Sequence, residues 1–369
     1  MSTADLTVLI PNYNHAKYLP RSLGAIFAQS VQPREVLVID DGSKDDSLAV
    51  LESFAKKHPT LRVLRNERNM GVNRTLNRGM ALTDARYLLS AASDDYVLPG
   101  FFEKAATLME RHPTAGLCFG NDAYQVGDHG PIEPNPGVWP PQPDYYDAAG
   151  VCRYMRNTIP GHATIFRTQA LKDIGGYPLG LEWYGDWFVN LALAFRHGAC
   201  HIPEPVAIRV LLDTSYSAAS KSAPRNIPVL RAFFDEIAKP EYADVAPWFR
   251  KSGSAIQFGT DLIRGAASHP DLWQPQILGF LNGFTRWEYR ELLDDPDPTV
   301  RDVASFFLGP FWQREDEQYR TAVEAPLRLE LDAVRRELPP VGTAGKVKWL
   351  AGLAIRKIAR QFGARKSAA

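Results

Sequence analysis

Short apolar runs alternate with longer stretches of helical periodicity along the first hundred residues. In the first longer stretch the apolar residues Leu19, Leu23 and Ile26 recur every three or four positions, as on one face of a helix. The apolar runs have the length of buried strands, and they are residues 7–10, 36–39, 62–64 and 87–89. Strands and helices that alternate at this spacing indicate βαβ units. They predict an α/β fold with a mainly parallel sheet and flanking helices.

Three more strands are predicted after residue 100, at 117–120, 163–167 and 201–212. Residues 127–144 are rich in Pro and Gly and have no period. We interpret this segment as a loop or lid over the sheet edge, because long loops in compact domains are often functional. At a smaller scale, Ser43 precedes the second helical stretch and is predicted to be its N-cap.

From Ile227 to about Leu338 the pattern is helical throughout, with breaks at prolines. We expect the aromatic residues of this part to pack in its interior. The chain is therefore predicted to divide into an α/β domain over residues 1–222, a helical extension over 223–340 and a tail over 341–369.

The composition is that of an ordinary soluble globular protein, with 45% hydrophobic and 23% charged residues among 369. Lys and Arg together number 42, as do Asp and Glu, so the net charge does not indicate nucleic acid, and none is predicted as a partner. Three widely spaced cysteines offer neither a disulfide framework nor a zinc site. No signal peptide and no apolar run of about 20 residues is present. We expect a cytoplasmic protein.

The tail over 341–369 contains seven Lys and Arg residues and no acidic residue. Most of its apolar residues share one arc of a helical wheel, although Trp349 and Leu353 do not, and most basic residues lie outside that arc. Such a segment is typical of an interfacial helix held by anionic lipid, here at the inner face of the cell membrane. The alternative is a helix docked on its own domain or on a partner subunit.

Polar residues recur directly after the predicted strands, as at Asn12, Asp41, Asn66 and Asp95. The carboxyl ends of parallel strands meet at one edge of an open α/β sheet, and ligands bind there. We therefore predict a binding site at this edge. The alternative is that these loops are polar only because they are exposed.

The pair Asp94-Asp95 follows the apolar strand 87–89 directly. Two adjacent carboxylates beside a buried strand are unfavourable unless a cation neutralises them. Oxygen ligands suit Mg²⁺ or Mn²⁺, and these ions favour a phosphate-bearing substrate. A solvated turn is the alternative.

Asp186 stands at the start of an apolar helix. A helix N-terminus favours an ionised carboxylate, which can act as a general base toward a hydroxyl. An ordinary N-cap is the alternative. His162 and His201 are candidate site residues, although an isolated histidine is more often structural.

Three segments of the chain resemble the family 2 glycosyltransferases of the GT-A fold. They are VLIPNYNHAKYLPRSLGAIFAQ, VLVIDDGSKDDS and NMGVNRTLNRGMALTDARYLLSAASDDYVLPG. The resemblance is close from about Leu6 to Arg111. It continues more loosely to Leu212, through FRTQALKDIGGYP and the helix with Asp186. It implies a Rossmann-like GT-A domain followed by a C-terminal helical region.

The same resemblance implies transfer from a nucleoside diphosphate sugar, most commonly a UDP-sugar, with inversion at the anomeric carbon. It also implies a divalent ion, Mn²⁺ or Mg²⁺, as cofactor. By this resemblance Pro11, Asn12 and Tyr13 line the nucleoside, and Asp41 contacts the base.

Asp94 and Asp95 match the metal motif of the family, with Asp95 as the direct ligand and Asp94 closer to the ribose. Asp186 matches the catalytic base. The chain departs from the common pattern in two places. Ser93-Asp94-Asp95 stands where Asp-x-Asp is frequent, and Tyr-Gly-Asp stands where Glu-Asp is usual, which leaves Glu182 as a substitute base.

These observations predict a metal-dependent inverting glycosyltransferase that acts on a glycan or lipid-linked acceptor, in cell-surface polysaccharide biosynthesis. Two alternatives remain. One is a sugar nucleotidyltransferase, although its Gly-rich loop after the first strand is missing. The other is a non-catalytic module that binds a sugar nucleotide or a glycan.

Overall fold

A computed structural model describes residues 2–135, 139, 144–154, 159–212, 223–259, 261–263, 286–298 and 300–305. These residues all belong to one compact unit, Met1–Phe307. The basic tail over 341–369 lies outside the described residues, so its contact with a membrane stays a prediction. The domain limits at residues 222 and 340 also stay predictions. No helix in the described ranges is long and apolar enough to cross a bilayer.

Strands and helices alternate through the first half of the described chain. They are β1 (Ser2–Asn12), α1 (Leu19–Phe27), β2 (Val31–Asp40), α2 (Ser47–Ala55), β3 (Leu61–Arg65), α3 (Val72–Leu82), β4 (Tyr87–Ser90), β5 (Tyr96–Val97), α4 (Phe101–Arg111) and β6 (Leu117–Val126). The alternation inferred from the apolar runs is therefore present.

The second half is richer in helices. Its elements are β7 (Ile132–Pro134), β8 (Tyr145–Tyr146), α5 (Ala148–Tyr154), β9 (Thr164–Arg167), α6 (Thr168–Asp173), α7 (Gly185–His197), β10 (Ala199–Leu211), α8 (Ala223–Ile237), α9 (Ala246–Ser252) and α10 (Arg286–Glu291). Short 3₁₀ turns include Gly161–Ala163 before β9 and Leu179–Tyr184 before α7.

The strands form one mixed sheet in the order β3-β2-β1-β4-β9-β6-β10-β5. Strands β3, β2, β1 and β4 are parallel neighbours, and β6 is parallel to β10. Strand β9 runs antiparallel between β4 and β6, and β5 runs antiparallel at the edge beside β10. The predicted α/β fold with a mainly parallel sheet and flanking helices is confirmed.

Helices cover both faces of the sheet, which explains why its central strands are apolar along their whole length. Val8 and Ile10 of β1 pack in the same core as α1 and α4. Leu9 points to the opposite face, where it contacts Gly79 of α3. Helix α7 is buried from Trp187 to Phe195, as its apolar sequence indicated.

The helical C-terminal region is also present, and the aromatic residues Phe233, Phe249 and Phe258 pack there as expected. Trp187 of α7 contacts Phe233 of α8, Phe249 of α9 and Phe258, with ring centroids 5.4, 5.9 and 5.8 Å apart. These rings bury a large apolar area at the junction with α7. The helical region therefore supports the helix that carries Asp186.

Three local predictions were wrong. Ser43 is not the N-cap of α2, which begins at Ser47 after Asp46 and has no side-chain cap bond. The Ser43 hydroxyl instead accepts hydrogen bonds from the Asn14 N–H at 2.9 Å and the Asn12 amide at 3.2 Å. Strand β6 does not end at Gly120 but continues to Val126. The segment after it, interpreted as a loop or lid, is not a loop throughout: Ile132–Pro134 pairs with β6 as β7, because the longer β6 offers an edge. Residues 136–138 and 140–143 lie outside the described residues, so the lid stays a prediction.

Candidate active site

The sheet edge predicted to carry the site does bring several polar residues together. Strand β1 lies between β2 and β4, with Asn12 opposite Asp40 and Leu9 opposite Ser90. The loops after these strands therefore open on the same side. A cavity of about 420 Å³ lies at this edge.

Six of the residues selected from the sequence line this cavity, namely Pro11, Asp94, Asp95, His162, Glu182 and Asp186. Others that were not selected from the sequence lie there too, including Asp122, Arg209, Tyr177 and Trp183. Asn12, Tyr13 and Asp41 do not line the cavity. The two predicted acidic groups, the pair after β4 and the acid of α7, thus share one site.

Asp41 is a buried carboxylate that holds the start of α3 in place. One oxygen accepts hydrogen bonds from the Asn66 amide at 2.6 Å and the Met70 N–H at 2.9 Å. The other accepts from the Gly71 N–H at 2.9 Å. These hydrogen bonds set the position of Asp41 beside the site. The contact between Asp41 and the base of a nucleotide stays a prediction.

Asn12 is fully buried and shapes the same loop. Its amide donates to Asp40 at 3.0 Å, and Asp40 in turn accepts from the Ser43 N–H at 3.0 Å. Tyr13 is 38% exposed, so its ring is open to a ligand. The residues expected to line the nucleoside therefore differ: Pro11 faces the cavity, Asn12 supports the backbone, and Tyr13 lies on the surface.

Asp94 and Asp95 lie where β4 turns into β5. One Asp95 oxygen accepts a hydrogen bond from the Val210 N–H at 2.8 Å. Burial and the neighbouring charge of Asp94 raise the pKa of Asp95 to about 8. The electrostatic conflict inferred from the sequence is thus present in the fold, and a cation bound there would relieve it.

Two residues that were not selected from the sequence position this turn. Arg21 of α1 donates from its guanidinium to the Asp94 carbonyl oxygen at 3.0 Å. His15 and Ser93 share a hydrogen bond of 2.7 Å between Nδ1 and Oγ. The first contact joins α1, and the second joins the loop after β1, to the turn that carries the acidic pair. Only the tertiary structure brings these segments together.

Asp186 is the second residue of α7, and its carboxylate accepts a hydrogen bond from the Trp187 N–H at 2.7 Å. The N-terminus of α7 therefore favours its negative charge. Gly161 lies against it: a Cβ on Gly161 would stand 2.5 Å from the Asp186 Oδ2 atom. Beneath the site, the Tyr177 hydroxyl shares a 2.6 Å hydrogen bond with Ser90.

Glu182, the substitute base, lies on the turn that leads into α7 and lines the same cavity. Its backbone has φ 42° and ψ −116°, a conformation that non-glycine residues rarely adopt. The Asn73 amide donates to its carbonyl oxygen at 2.8 Å, which helps to hold it there. Strained residues of this kind cluster at functional sites.

A second polar group lies in the cavity wall. Asp122 of β6 has one oxygen 3.7 Å from His162 Nε2 and 3.9 Å from Arg209 Nε. Burial lowers the pKa of His162 to about 4, so the imidazole is neutral at neutral pH. His201 lies outside the cavity among aromatic rings, with its Nε2 atom 3.0 Å from Asn121. The available sequence signal for Asp122 was an acid shortly after the apolar run 117–120.

The described residues hold no group of three or more His, Cys, Asp or Glu side chains placed around one metal position. The two carboxylates after β4 nevertheless suit a hard divalent ion, since they supply oxygen donors and excess negative charge. Oxygens of a phosphate-bearing substrate and water would complete such a shell. The donor set therefore fits Mn²⁺ or Mg²⁺ bound together with a substrate.

The family described as glycosyl transferase family 2 matches residues 7–175. An uncharacterised glycosyltransferase of Haemophilus influenzae is 30% identical over 107 residues, which cover 29% of this chain and 33% of that protein. The chondroitin synthase of Escherichia coli is 32% identical over 98 residues, 27% of this chain and 14% of that protein. The match to the first of these relatives thus spans about a third of its length.

Solved structures with the same fold cover more of the chain. Residues 1–349 of S. aureus TarS, in complex with UDP, superpose with a TM-score of 0.55 at 18% identity, over 82% of this chain and 87% of that one. The mannosyltransferase PcManGT from Pyrobaculum calidifontis, in complex with GDP-Man and Mn²⁺, gives a TM-score of 0.50 at 17% identity, over 81% and 84%. The GT-A fold is therefore shared beyond the part that matches in sequence.

Proposed function

Because residues 7–175 match the family described as glycosyl transferase family 2, we propose that this protein moves a sugar from a nucleoside diphosphate sugar to a hydroxyl of a glycan or lipid-linked acceptor, with inversion. The observation that carries the proposal is the single cavity that Asp94, Asp95 and Asp186 share. It has the acids needed for a cation and for a base in one place. A UDP-sugar is the proposed donor, because TarS, which has the same fold, is found with UDP.

Asp95 is the proposed ligand of Mn²⁺ or Mg²⁺, and Asp94 holds the nucleotide beside it. When bound, such an ion stabilises the negative charge that develops on a departing diphosphate. The protein contributes the position: the Val210 N–H holds Asp95, and Arg21 holds the Asp94 backbone. These contacts orient the acidic pair before the substrate arrives, which favours catalysis.

Asp186 is the proposed general base. An inverting displacement needs one base, on the face of the sugar opposite the leaving group, to accept the proton of the acceptor hydroxyl. The α7 N-terminus stabilises the ionised carboxylate, and Gly161 leaves room for it. Glu182 lies in the same cavity and is the substitute if Asp186 proves dispensable.

The nucleoside is proposed to lie along Pro11 and Tyr13, near the loop that Asp41 and Asn12 organise. A ring can stack on the exposed Tyr13 side chain, and Pro11 lies at the cavity wall. Contact between Asp41 and the base is part of the proposal. In the free protein both carboxylate oxygens of Asp41 already bind the chain.

A panel of UDP-, GDP- and dTDP-sugars tests the proposal, with binding followed by calorimetry in Mn²⁺ and turnover by release of the nucleoside diphosphate. We expect Asp95→Ala to lose both turnover and metal-dependent binding. Asp186→Asn should retain binding and lose transfer. Wild-type turnover in Asp186→Asn would remove Asp186 from the mechanism. Binding without any turnover would favour a non-catalytic module, and formation of a sugar nucleotide from a sugar phosphate would favour a nucleotidyltransferase.

The setting of the reaction is proposed to be the cytoplasmic face of the cell membrane, in the synthesis of cell-surface polysaccharide. The basic tail over 341–369 would bring the enzyme to lipid-linked acceptors there. Sedimentation with anionic liposomes tests this part of the proposal. Binding that is unchanged after deletion of residues 341–369 would refute the role of the tail.

A further inference from the structure

Three polar residues in the cavity wall have no part in the proposed transfer. Asp122 lies within β6, His162 in the turn before β9, and Arg209 in β10. They meet because β6 lies between β9 and β10 in the sheet. All three line the cavity that holds the acidic pair and Asp186.

These three residues, the Asp122 cluster, lie between the part of the cavity with Asp95 and the part with Asp186. Arg209 is next to Val210, whose N–H binds Asp95. At the other end His162 is next to Gly161, which lies against the carboxylate of Asp186. Asp122 lies between His162 and Arg209. The cluster therefore spans from the proposed metal ligand to the proposed base.

The cluster has unused hydrogen-bonding capacity. His162 Nε2 has no hydrogen-bond partner among the described residues, although only 10% of its side chain is exposed. One Asp122 oxygen accepts from the Asn135 amide at 2.9 Å. The other is 3.7 Å from His162 and 3.9 Å from Arg209, which is too far for a hydrogen bond. A buried donor or acceptor left unpaired is costly, so this arrangement favours a polar ligand that reaches both groups.

Resting on the proposed function, we propose that Asp122 and His162 bind hydroxyl groups of the transferred sugar and so select which sugar is used. In an in-line displacement the transferred ring lies between the diphosphate, near Asp95, and the attacking hydroxyl, near Asp186. That is where the cluster stands. A sugar hydroxyl can donate to the free Asp122 oxygen and pair with His162 Nε2 at the same time.

The test compares a nucleotide with and without its sugar. Calorimetry in Mn²⁺ measures Kd for UDP, UDP-glucose, UDP-galactose and UDP-N-acetylglucosamine, and for GDP and GDP-mannose, in the absence of acceptor. For His162→Phe and Asp122→Asn we expect UDP or GDP to bind as in the wild type. Binding of the preferred sugar nucleotide should weaken by about tenfold or more relative to its diphosphate, and the preference among sugars should shrink.

His201→Phe is the matched control. His201 is also a buried histidine whose pKa burial lowers to about 4, and it lies beside β6, but it does not line the cavity. We expect this variant to leave the ratio of the two dissociation constants unchanged. Melting temperatures of all variants report any damage to the fold.

An unchanged ratio in His162→Phe and Asp122→Asn would overturn the inference while leaving the proposed function intact. So would an equal loss in His201→Phe. A wild-type protein that binds no nucleotide would contradict the proposed function itself, and the inference with it.

Discussion

A single methyl group placed at Gly161 should displace the proposed base without removing it. Gly161 begins the turn before β9, and its φ lies outside the left-handed region, so alanine fits the backbone. The added Cβ would stand 2.5 Å from Asp186 Oδ2 and 3.2 Å from the Asp186 Cβ and Cγ atoms. Gly161→Ala is therefore a steric change aimed at one carboxylate.

The size of the effect follows from these distances. Ordinary van der Waals contact begins at about 3.4 Å, so the Asp186 oxygen has to move by about 0.9 Å. The side chain of Asp186 is exposed and can turn away, so the fold should be little affected. A displacement of about 1 Å in a reacting group can lower the rate about 100-fold. We expect kcat to fall by about that factor in Gly161→Ala.

The assay measures turnover of the preferred sugar nucleotide at saturation, together with its Kd and the melting temperature. Kd and melting temperature should stay close to the wild-type values. The control is Gly24→Ala in α1, where an added Cβ meets no atom within 4 Å. A kcat within about threefold of the wild type in Gly161→Ala would refute the assignment of Asp186 as a base that has to sit at this position. So would a loss of nucleotide binding equal to the loss of turnover.

Three further predictions concern metal binding at Asp95, the hydrogen bonds of Asp41 and the packing of α3. Because the pKa of Asp95 is raised to about 8, the metal-free carboxyl group is protonated below that pH, and a cation has to displace the proton. Calorimetry should therefore show that Mn²⁺ affinity rises about tenfold per pH unit from about pH 6 to 8 and is constant at higher pH. An affinity independent of pH would contradict this. Asp41→Ala removes the acceptor of three hydrogen bonds and should lower the free energy of unfolding by about 2–4 kcal/mol in denaturant titrations. An unchanged denaturation midpoint would show that these hydrogen bonds do not stabilise the fold. In Gly79→Ala the new Cβ would overlap the Leu9 side chain, so we expect a loss of about 1–3 kcal/mol by thermal unfolding, whereas Gly24→Ala, in the same assay, should lose none.

The sequence predicted the strands and helices well where burial is periodic. Strands β1 to β4 follow apolar runs, and α7 follows an apolar helix pattern, because residues that face a core must be apolar whatever their partners are. It failed at Ser43 and at the end of β6. Both are places where a polar residue binds another segment of the chain rather than its own helix or solvent.

In the site, too, local sequence signals were visible and contacts between distant segments were not. The acids Asp94, Asp95 and Asp186, which line one cavity, were selected from the sequence, since charge beside an apolar strand or at a helix start is a local signal. The roles of Asp41 and Asn12 in holding loops were not visible, because they depend on side-chain contacts with residues far along the chain.

By itself the sequence determined the order of the longer strands and helices, the fold class and the acidic residues at the strand ends. The tertiary structure decided which of them share a cavity. Asp122, His162 and Arg209 come together only because β6 lies between β9 and β10 in the sheet. That order depends on how distant strands pair and at what register. An apolar pattern records which faces are buried, and it does not record which strands become neighbours.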